Sequence, residues 1–202
     1  MALVCLDLEG VLVPEIWIAF ADAVGIPEFR RTTRDEPDYD NLMRFRIDLL
    51  GRHKLRLPDI QRVAGAIEPL PGAADFYAKL RELTQAVILS DTFEQFARPI
   101  MAKLGYPILL CNSLVTSADG AVTGYRLRQP DGKKRAVAAF KSMNLRVFAA
   151  GDSFNDLGMI GEADGGCLFR APEKIRRDYP HIPCVDGFGD LLRRIEEFAG
   201  QG

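Results

Sequence analysis

Three short apolar runs that each end on polar side chains constrain the fold of this chain more than any other feature. Leu3–Leu6 stops at Asp7, Ala86–Leu89 stops at Ser90 and Asp91, and Val147–Ala150 stops at Gly151 and Asp152. Runs this short and this uniformly apolar suit strands buried on both faces of a parallel sheet. Helical patterns lie between them. Ala73–Leu83 sets Phe76, Leu80 and Leu83 on one face. Phe93, Phe96, Ile100, Met101 and Leu104 recur at helical spacing before Gly105, and Val137 and Phe140 mark a helix ahead of Leu145. Strands alternating with helices imply an α/β fold with a Rossmann-like, doubly wound parallel sheet. Ser113–Leu127, with Asp119-Gly120 near its middle, reads as a hairpin or an extended excursion. Cys167–Phe169 and Ile182–Val185 read as further strands, and Asp190–Phe198 as a closing helix.

The stretch from Pro14 to about Leu70 breaks this rhythm. It carries helical patterns over Glu15–Val24, Tyr39–Leu50 and Pro58–Ile67 and no strand pattern, which is too much chain for one crossover helix. The expected organisation is an α/β core of residues 1–13 and 71–202 with a small helical cap, 14–70, inserted after the first strand.

Composition narrows the function. The chain has 202 residues, 48% hydrophobic and 27% charged, with a formal net charge of -2. That balance gives no basis for a nucleic-acid or membrane partner. No apolar run approaches the roughly 20 residues of a membrane span, and no basic segment precedes the first apolar run as in a signal peptide. Cys5, Cys111, Cys167 and Cys184 are scattered without a CxxC, so they are expected as buried thiols in a reducing cytoplasm.

The strand ends carry the chemistry, because ligands of open α/β sheets bind beyond the carboxyl ends of the strands. Asp7 and Glu9 stand two apart, a spacing that puts strand side chains on one side. Two carboxylates about 4 Å apart repel by about 4 kcal/mol at an effective dielectric near 20. A hard divalent cation between Asp7, Glu9 and Asp152 would remove that cost, and an all-oxygen set suits Mg²⁺. In "LSDT", Leu89 to Thr92, Ser90 stands between a strand and a helix, where an anion is favoured. "DGKKR", Asp131 to Arg135, opens a helix; Lys133 is preferred over Lys134 as the lysine reaching the site because it lies nearer the turn. "GDSFND", Gly151 to Asp156, allows a sharp turn, then offers Asp152, Asn155 and Asp156. Taken singly, these are turns, helix caps and solvated charges. Their joint occurrence, each after its own strand, is not explained that way.

In this order the motifs "DLEGVLV", "LSDT", a helix-opening lysine and "GDSFND" resemble the haloacid dehalogenase superfamily of phosphotransferases. The helical block resembles the cap of its phosphoserine phosphatase branch, with Glu15 after the first loop and "RFRIDLL", Arg44 to Leu50, similar to the branch's Arg-Val-x-Leu-Leu segment. The resemblance implies that Asp7 is the nucleophile, Glu9 the general acid and base, and Lys133 a catalytic charge. Ser90, Asp91 and Asn155 would bind substrate, Glu15 and Arg46 would hold its amino and carboxylate groups, and Asp156 would orient Lys133 or the metal shell. The chain departs from the usual Asp-x-Asp by having Asp7-x-Glu9, which moves the carboxyl by up to about 1.5 Å. A sub-branch with Asp-Leu-Glu-Gly is similar from end to end and transfers the phosphoryl group of phosphoserine to homoserine as well as to water. Two alternatives stay open. One is another small-molecule phosphatase of the superfamily, acting on a sugar phosphate or phosphocholine. The other is a receiver-like domain phosphorylated on Asp. A second copy of the chain, in a homodimer, is the one macromolecular partner left open.

Overall fold

The computed structural model describes residues 1–201 except Arg34 and Pro37. The strands are β1 (Ala2–Leu6), β2 (Gln85–Phe93), β3 (Ile108–Thr116), β4 (Val122–Arg126), β5 (Arg146–Gly151), β6 (Gly165–Phe169) and β7 (Cys184–Val185). They form one sheet in the order β4-β3-β2-β1-β5-β6-β7. The pairings are parallel except β3 with β4. From β1 the chain winds first towards β3 and later towards β7. The carboxyl end of β1 is therefore the switch point, where such sheets open a crevice.

The helices are α1 (Ile16–Val24), α2 (Tyr39–Arg52), α3 (Leu57–Ala66), α4 (Ala73–Leu83), α5 (Glu94–Lys103), α6 (Gly132–Ser142), α7 (Leu157–Glu162), α8 (Glu173–Asp178) and α9 (Phe188–Ala199). Strand alternation assigns their faces. Val4 and Leu6 join one apolar cluster with Phe76 and Leu80 of α4 and Leu191 and Ile195 of α9. Leu3 and Cys5 join a second with Val137 of α6, Met159 and Ile160 of α7, and Ile175 of α8. Helices thus cover both faces of the sheet.

Between β1 and α4 lie α1, α2 and α3, with a 3-10 turn at Pro27–Arg30. The first apolar cluster continues into this block. Phe20, Phe29, Met43 and Ile60 belong to the same cluster as Phe93, Phe96 and Ile100, and Trp17 stacks on Phe29 with ring centres 5.8 Å apart. At about 25 cal/mol per Å² of apolar surface, a shared core of this kind holds the block against the sheet.

Three features differ from the sequence expectation. β2 runs past Leu89 to Phe93, because Phe93 still pairs with Asn112 after an irregularity. β3 begins at Ile108: its first half pairs in parallel with β2 and its second half antiparallel with β4, so the hairpin is part of the main sheet. Of the four free thiols only Cys5 and Cys167 are buried, while Cys111 and Cys184 are half-buried. Among the described residues, no helix is long and apolar enough to cross a membrane.

Candidate active site

Asp7 leaves the end of β1 and donates its N–H to Ala150 of β5 at 3.0 Å, which keeps it beside the neighbouring strand. Its Oδ1 accepts the N–H of Leu8 at 2.8 Å. Asp152 follows β5. Gly10, at φ 80°, leaves the space its carboxyl occupies, since a Cβ there would overlap it; Gly151 likewise makes room for Asp156. Carboxylate oxygens of Asp7, Asp152 and Asp156, all three buried, lie within 4.8 Å of one another.

Lys133 enters this group from the first turn of α6, after Asp131 in a left-handed conformation at φ 49°. Its Nζ lies 2.8 Å from Asp7 Oδ1, 2.7 Å from Asp156 Oδ1 and 3.9 Å from Asp91 Oδ2. Lys134 is exposed. Asp156 is fully buried, and its other oxygen accepts the N–H groups of Asp152 and Ser153 at 3.0 Å each. Burial works against the Lys133 ammonium, but Asp156, Asp7 and Asp91 outweigh it and hold its pKa well above the usual lysine value. Burial and the charges of Asp156 and Asp152 push Asp7 well above the usual carboxylate range, against the pull of Lys133. One ammonium thus faces three gathered carboxylates. The excess negative charge and the hard oxygen donors fit a Mg²⁺ ion held by Asp7, Asp152 and Asp156.

Glu9 is not in that group. Strand alternation would put Glu9 beside Asp7 and Asp152 around a cation, but β1 ends at Leu6 and alternation no longer governs Glu9. The chain turns at Gly10, and Glu9 Oε2 accepts the N–H of Ile16 at 2.8 Å, at the start of α1. The carboxyl sits between the aspartates and the helical block. Burial and the charge of Glu15 raise its pKa to about 7, against the Ile16 hydrogen bond and the charges of Arg46 and Lys133.

Arg46 reaches in from α2 and is 6% exposed. Its Nη2 donates to the Arg31 carbonyl at 2.9 Å, and its guanidinium lies over Trp17, 4.6 Å from the ring centre. Burial lowers its pKa to about 10. On the sheet side, Ser90 Oγ accepts the N–H of Thr92 at 3.2 Å. Asn155 Nδ2 donates to Asp91 Oδ2 at 2.9 Å, and the Tyr39 hydroxyl of α2 donates to the Asp91 carbonyl at 3.0 Å.

One cavity of about 80 Å³ brings together Asp7, Glu9, Glu15, Arg46, Ser90, Asp91, Lys133, Asp152 and Asn155. Asp156 lies behind Lys133 and outside the lining. Trp17, Tyr39, Thr92 and Ser153 also line it, and sequence reasoning did not single them out. Tyr39 carried a usable signal: it stands seven residues before Arg46, two turns along the same helix face. A buried carboxylate, an adjacent ammonium and a second carboxyl whose pKa is raised to about 7 form a set that could carry out displacement at an anionic centre.

Residues 1–164 match the family described as haloacid dehalogenase-like hydrolase. A phosphoserine phosphatase of Pseudomonas syringae pv. tomato is 54% identical over 191 residues, covering 95% of this chain and 81% of that protein. Phosphoserine phosphatase ThrH of Pseudomonas aeruginosa is 53% identical over 195 residues, covering 96% of this chain and 95% of that protein. A solved phosphoserine phosphatase, described as a phospho-aspartyl intermediate analogue, superposes with a TM-score of 0.78 at 19% identity, covering 95% of this chain and 97% of its own. That likeness concerns the fold. The motif order, the match over most of the chain and the two relatives above half identity agree, and this chain belongs to the haloacid dehalogenase-like hydrolase family.

Proposed function

We propose that this chain is a Mg²⁺-dependent phosphoserine phosphatase working through an aspartyl-phosphate on Asp7, and that it passes the phosphoryl group to homoserine as well as to water. The observation that carries the reading is the shared cavity. It joins Asp7 and Lys133 to Glu9, poised at about pH 7, and to the Arg46 and Glu15 side chains of the helical block. The two phosphoserine phosphatases above half identity support the substrate.

Asp7 Oδ1 is engaged by Leu8 N–H and Lys133, so Oδ2 is the attacking oxygen. The Oδ2–P bond forms as the bond from phosphorus to the serine oxygen breaks, and Glu9 gives that oxygen its proton. Glu9 then takes a proton from water or alcohol, whose oxygen attacks phosphorus and frees Asp7. Ser90 and Lys133 hold phosphoryl oxygens while charge develops. Mg²⁺, held by Asp7 and Asp152 beside Asp156, would neutralise phosphoryl charge when bound. Asp91 and Asn155, hydrogen-bonded to each other, border the phosphoryl end. Arg46 pairs with the substrate carboxylate and Glu15 with its ammonium. Residues 14–70 act as the cap over a core of 1–13 and 71–202, excluding water and selecting substrate. Free thiols at all four cysteines suit a reducing cytoplasm.

The test is phosphate release from a panel of phosphorylated metabolites with Mg²⁺. Phosphoserine is expected to give the highest kcat/KM. A sugar phosphate or phosphocholine in first place would replace this substrate assignment with the alternative phosphatase.

A further inference from the structure

Among the described residues, two buried side-chain polar atoms have no hydrogen-bond partner: Arg46 Nε and Thr92 Oγ1. Both side chains line the same cavity. Buried polar groups are nearly always paired, so each exception calls for a reason. Here one comes from the helical block and the other from the sheet, and a single ligand lying between them would serve both.

The surroundings fix both groups without using them. Thr92 is 3% exposed and sits two residues after Ser90 on β2. Its backbone N–H donates to Ser90 Oγ at 3.2 Å, while its hydroxyl has no hydrogen-bond partner. A β-branched side chain has few χ1 choices, so that hydroxyl is held in place. Arg46 is tied by Nη2 to the Arg31 carbonyl and lies over Trp17, which sets the guanidinium plane and leaves Nε–H open.

We propose that Thr92 is a specificity-determining contact, its hydroxyl and Arg46 Nε–H forming one subsite for the carboxylate of the substrate. The proposal rests on the phosphoserine reading and adds Thr92 to it. Arg46 Nε can only donate, so the group that serves it must be an acceptor. Ser90 and Lys133 already serve the phosphoryl end, and the ammonium has no acceptor to offer. A carboxylate has two oxygens and about four lone-pair sites, enough to accept from both groups.

The test compares wild type, Thr92→Val and Thr92→Ser on L-phosphoserine and on phosphoethanolamine, which keeps the ammonium and phosphate but lacks the carboxylate. Valine keeps the branched shape and removes the hydroxyl. Thr92→Val is expected to lower kcat/KM for phosphoserine by about 10- to 150-fold, the value of a hydrogen bond to a charged group, mainly through KM. The loss on phosphoethanolamine is expected to be much smaller, and Thr92→Ser is expected to restore most phosphoserine use. The melting temperature of Thr92→Val is expected at or above that of wild type, since no hydrogen bond to the protein is lost. Unchanged phosphoserine use, equal losses on both substrates, or a melting temperature several degrees lower would each overturn the proposal. A wild-type enzyme idle on phosphoserine would instead remove the function reading on which it rests.

Discussion

Glu9 Oε2 accepts the backbone N–H of Ile16 at 2.8 Å, so the carboxyl that follows the Asp7 strand also caps the first helix of the inserted block. The proton donor of the proposed chemistry is thereby anchored to the element expected to select substrate. The same burial that makes the anchor specific makes the charged form of Glu9 costly, and the charge of Glu15 adds to that cost.

The cost has a pH signature. Glu9 titrates at about 7 in the folded protein against 4.5 for the free side chain. Between those values the folded state binds more protons than the unfolded state, so its contribution to stability falls as pH rises through that window. Glu9→Gln stays neutral and can still accept from Ile16. At pH 8 in EDTA the variant should be more stable than wild type by up to about 3 kcal/mol, and this advantage should vanish by pH 4. Urea unfolding at a series of pH values measures it, and parallel pH profiles for the two proteins would contradict the raised pKa. The variant should also lose phosphatase turnover, because an amide cannot serve as the acid.

Asp7→Asn should abolish turnover while leaving the fold intact. The amide nitrogen and carbonyl make a poor nucleophile, but they preserve volume and can keep the hydrogen bonds to Leu8 and Lys133. Circular dichroism and phosphate release on the purified variant check both halves. Near-normal hydrolysis would exclude the covalent route through Asp7.

Metal loading should show without any substrate. Three gathered carboxylates facing one ammonium exist as a set only in the folded state, so a divalent cation held by them would stabilise it. At about 100 times its Kd, Mg²⁺ should stabilise by about 2.7 kcal/mol, or about 5–10 °C in a chain of this size. EDTA should reverse the shift and Asp152→Asn should abolish most of it. A melting curve indifferent to Mg²⁺ would mean that the aspartates do not form a cation site.

How much of this was legible in the sequence follows from which signals are local. Asp7, Ser90 and Asp152 were readable because each follows an apolar run, and the parallel sheet brings strand ends together whatever the loops do. The side on which Glu9 falls was not, since strand alternation stops at Leu6 and the Gly10 turn sets the direction. Thr92, Trp17 and Tyr39 were not singled out as site residues, because a lone hydroxyl or an aromatic ring within a helical pattern marks no site by itself; the spacing of Tyr39 from Arg46 was the one usable signal among them. Their roles come from burial and from long-range packing. The helices α7 and α8, six residues each, are too short for a helical period to register. β3 escaped partly because one strand serves two neighbours of opposite sense.

Arg46→Ala should weaken phosphoserine use far more than use of a generic aryl phosphate. A charged hydrogen bond to a carboxylate contributes about 1.5–3 kcal/mol, which is about 10- to 150-fold in kcat/KM. The variant also gives up the stacking over Trp17, so some stability should go with it. Equal losses on the two substrates would mean that Arg46 supports the block without reading the amino acid.

The phosphoryl group on Asp7 should pass to homoserine as well as to water. Once serine leaves, a second amino acid could take the places its ammonium and carboxylate held at Glu15 and Arg46. Homoserine carries the same two groups, with its hydroxyl one methylene further out. Docked as serine was, it would bring that hydroxyl towards Asp7. The acceptor must then give up its proton as its oxygen bonds to phosphorus, and Glu9, its pKa raised to about 7, is placed to take it near neutral pH. The extra methylene of Glu9 over an aspartate extends its reach by up to about 1.5 Å. Water competes at about 55 M, but effective molarities of about 10⁵ M or more show that a positioned alcohol can win. The measurement is phosphoserine, Mg²⁺ and rising homoserine, with O-phosphohomoserine followed by mass spectrometry. Its yield should saturate with homoserine and fall sharply in Arg46→Ala. If inorganic phosphate is the sole product at every homoserine concentration, the transferase half of the reading is wrong and the phosphatase half stands.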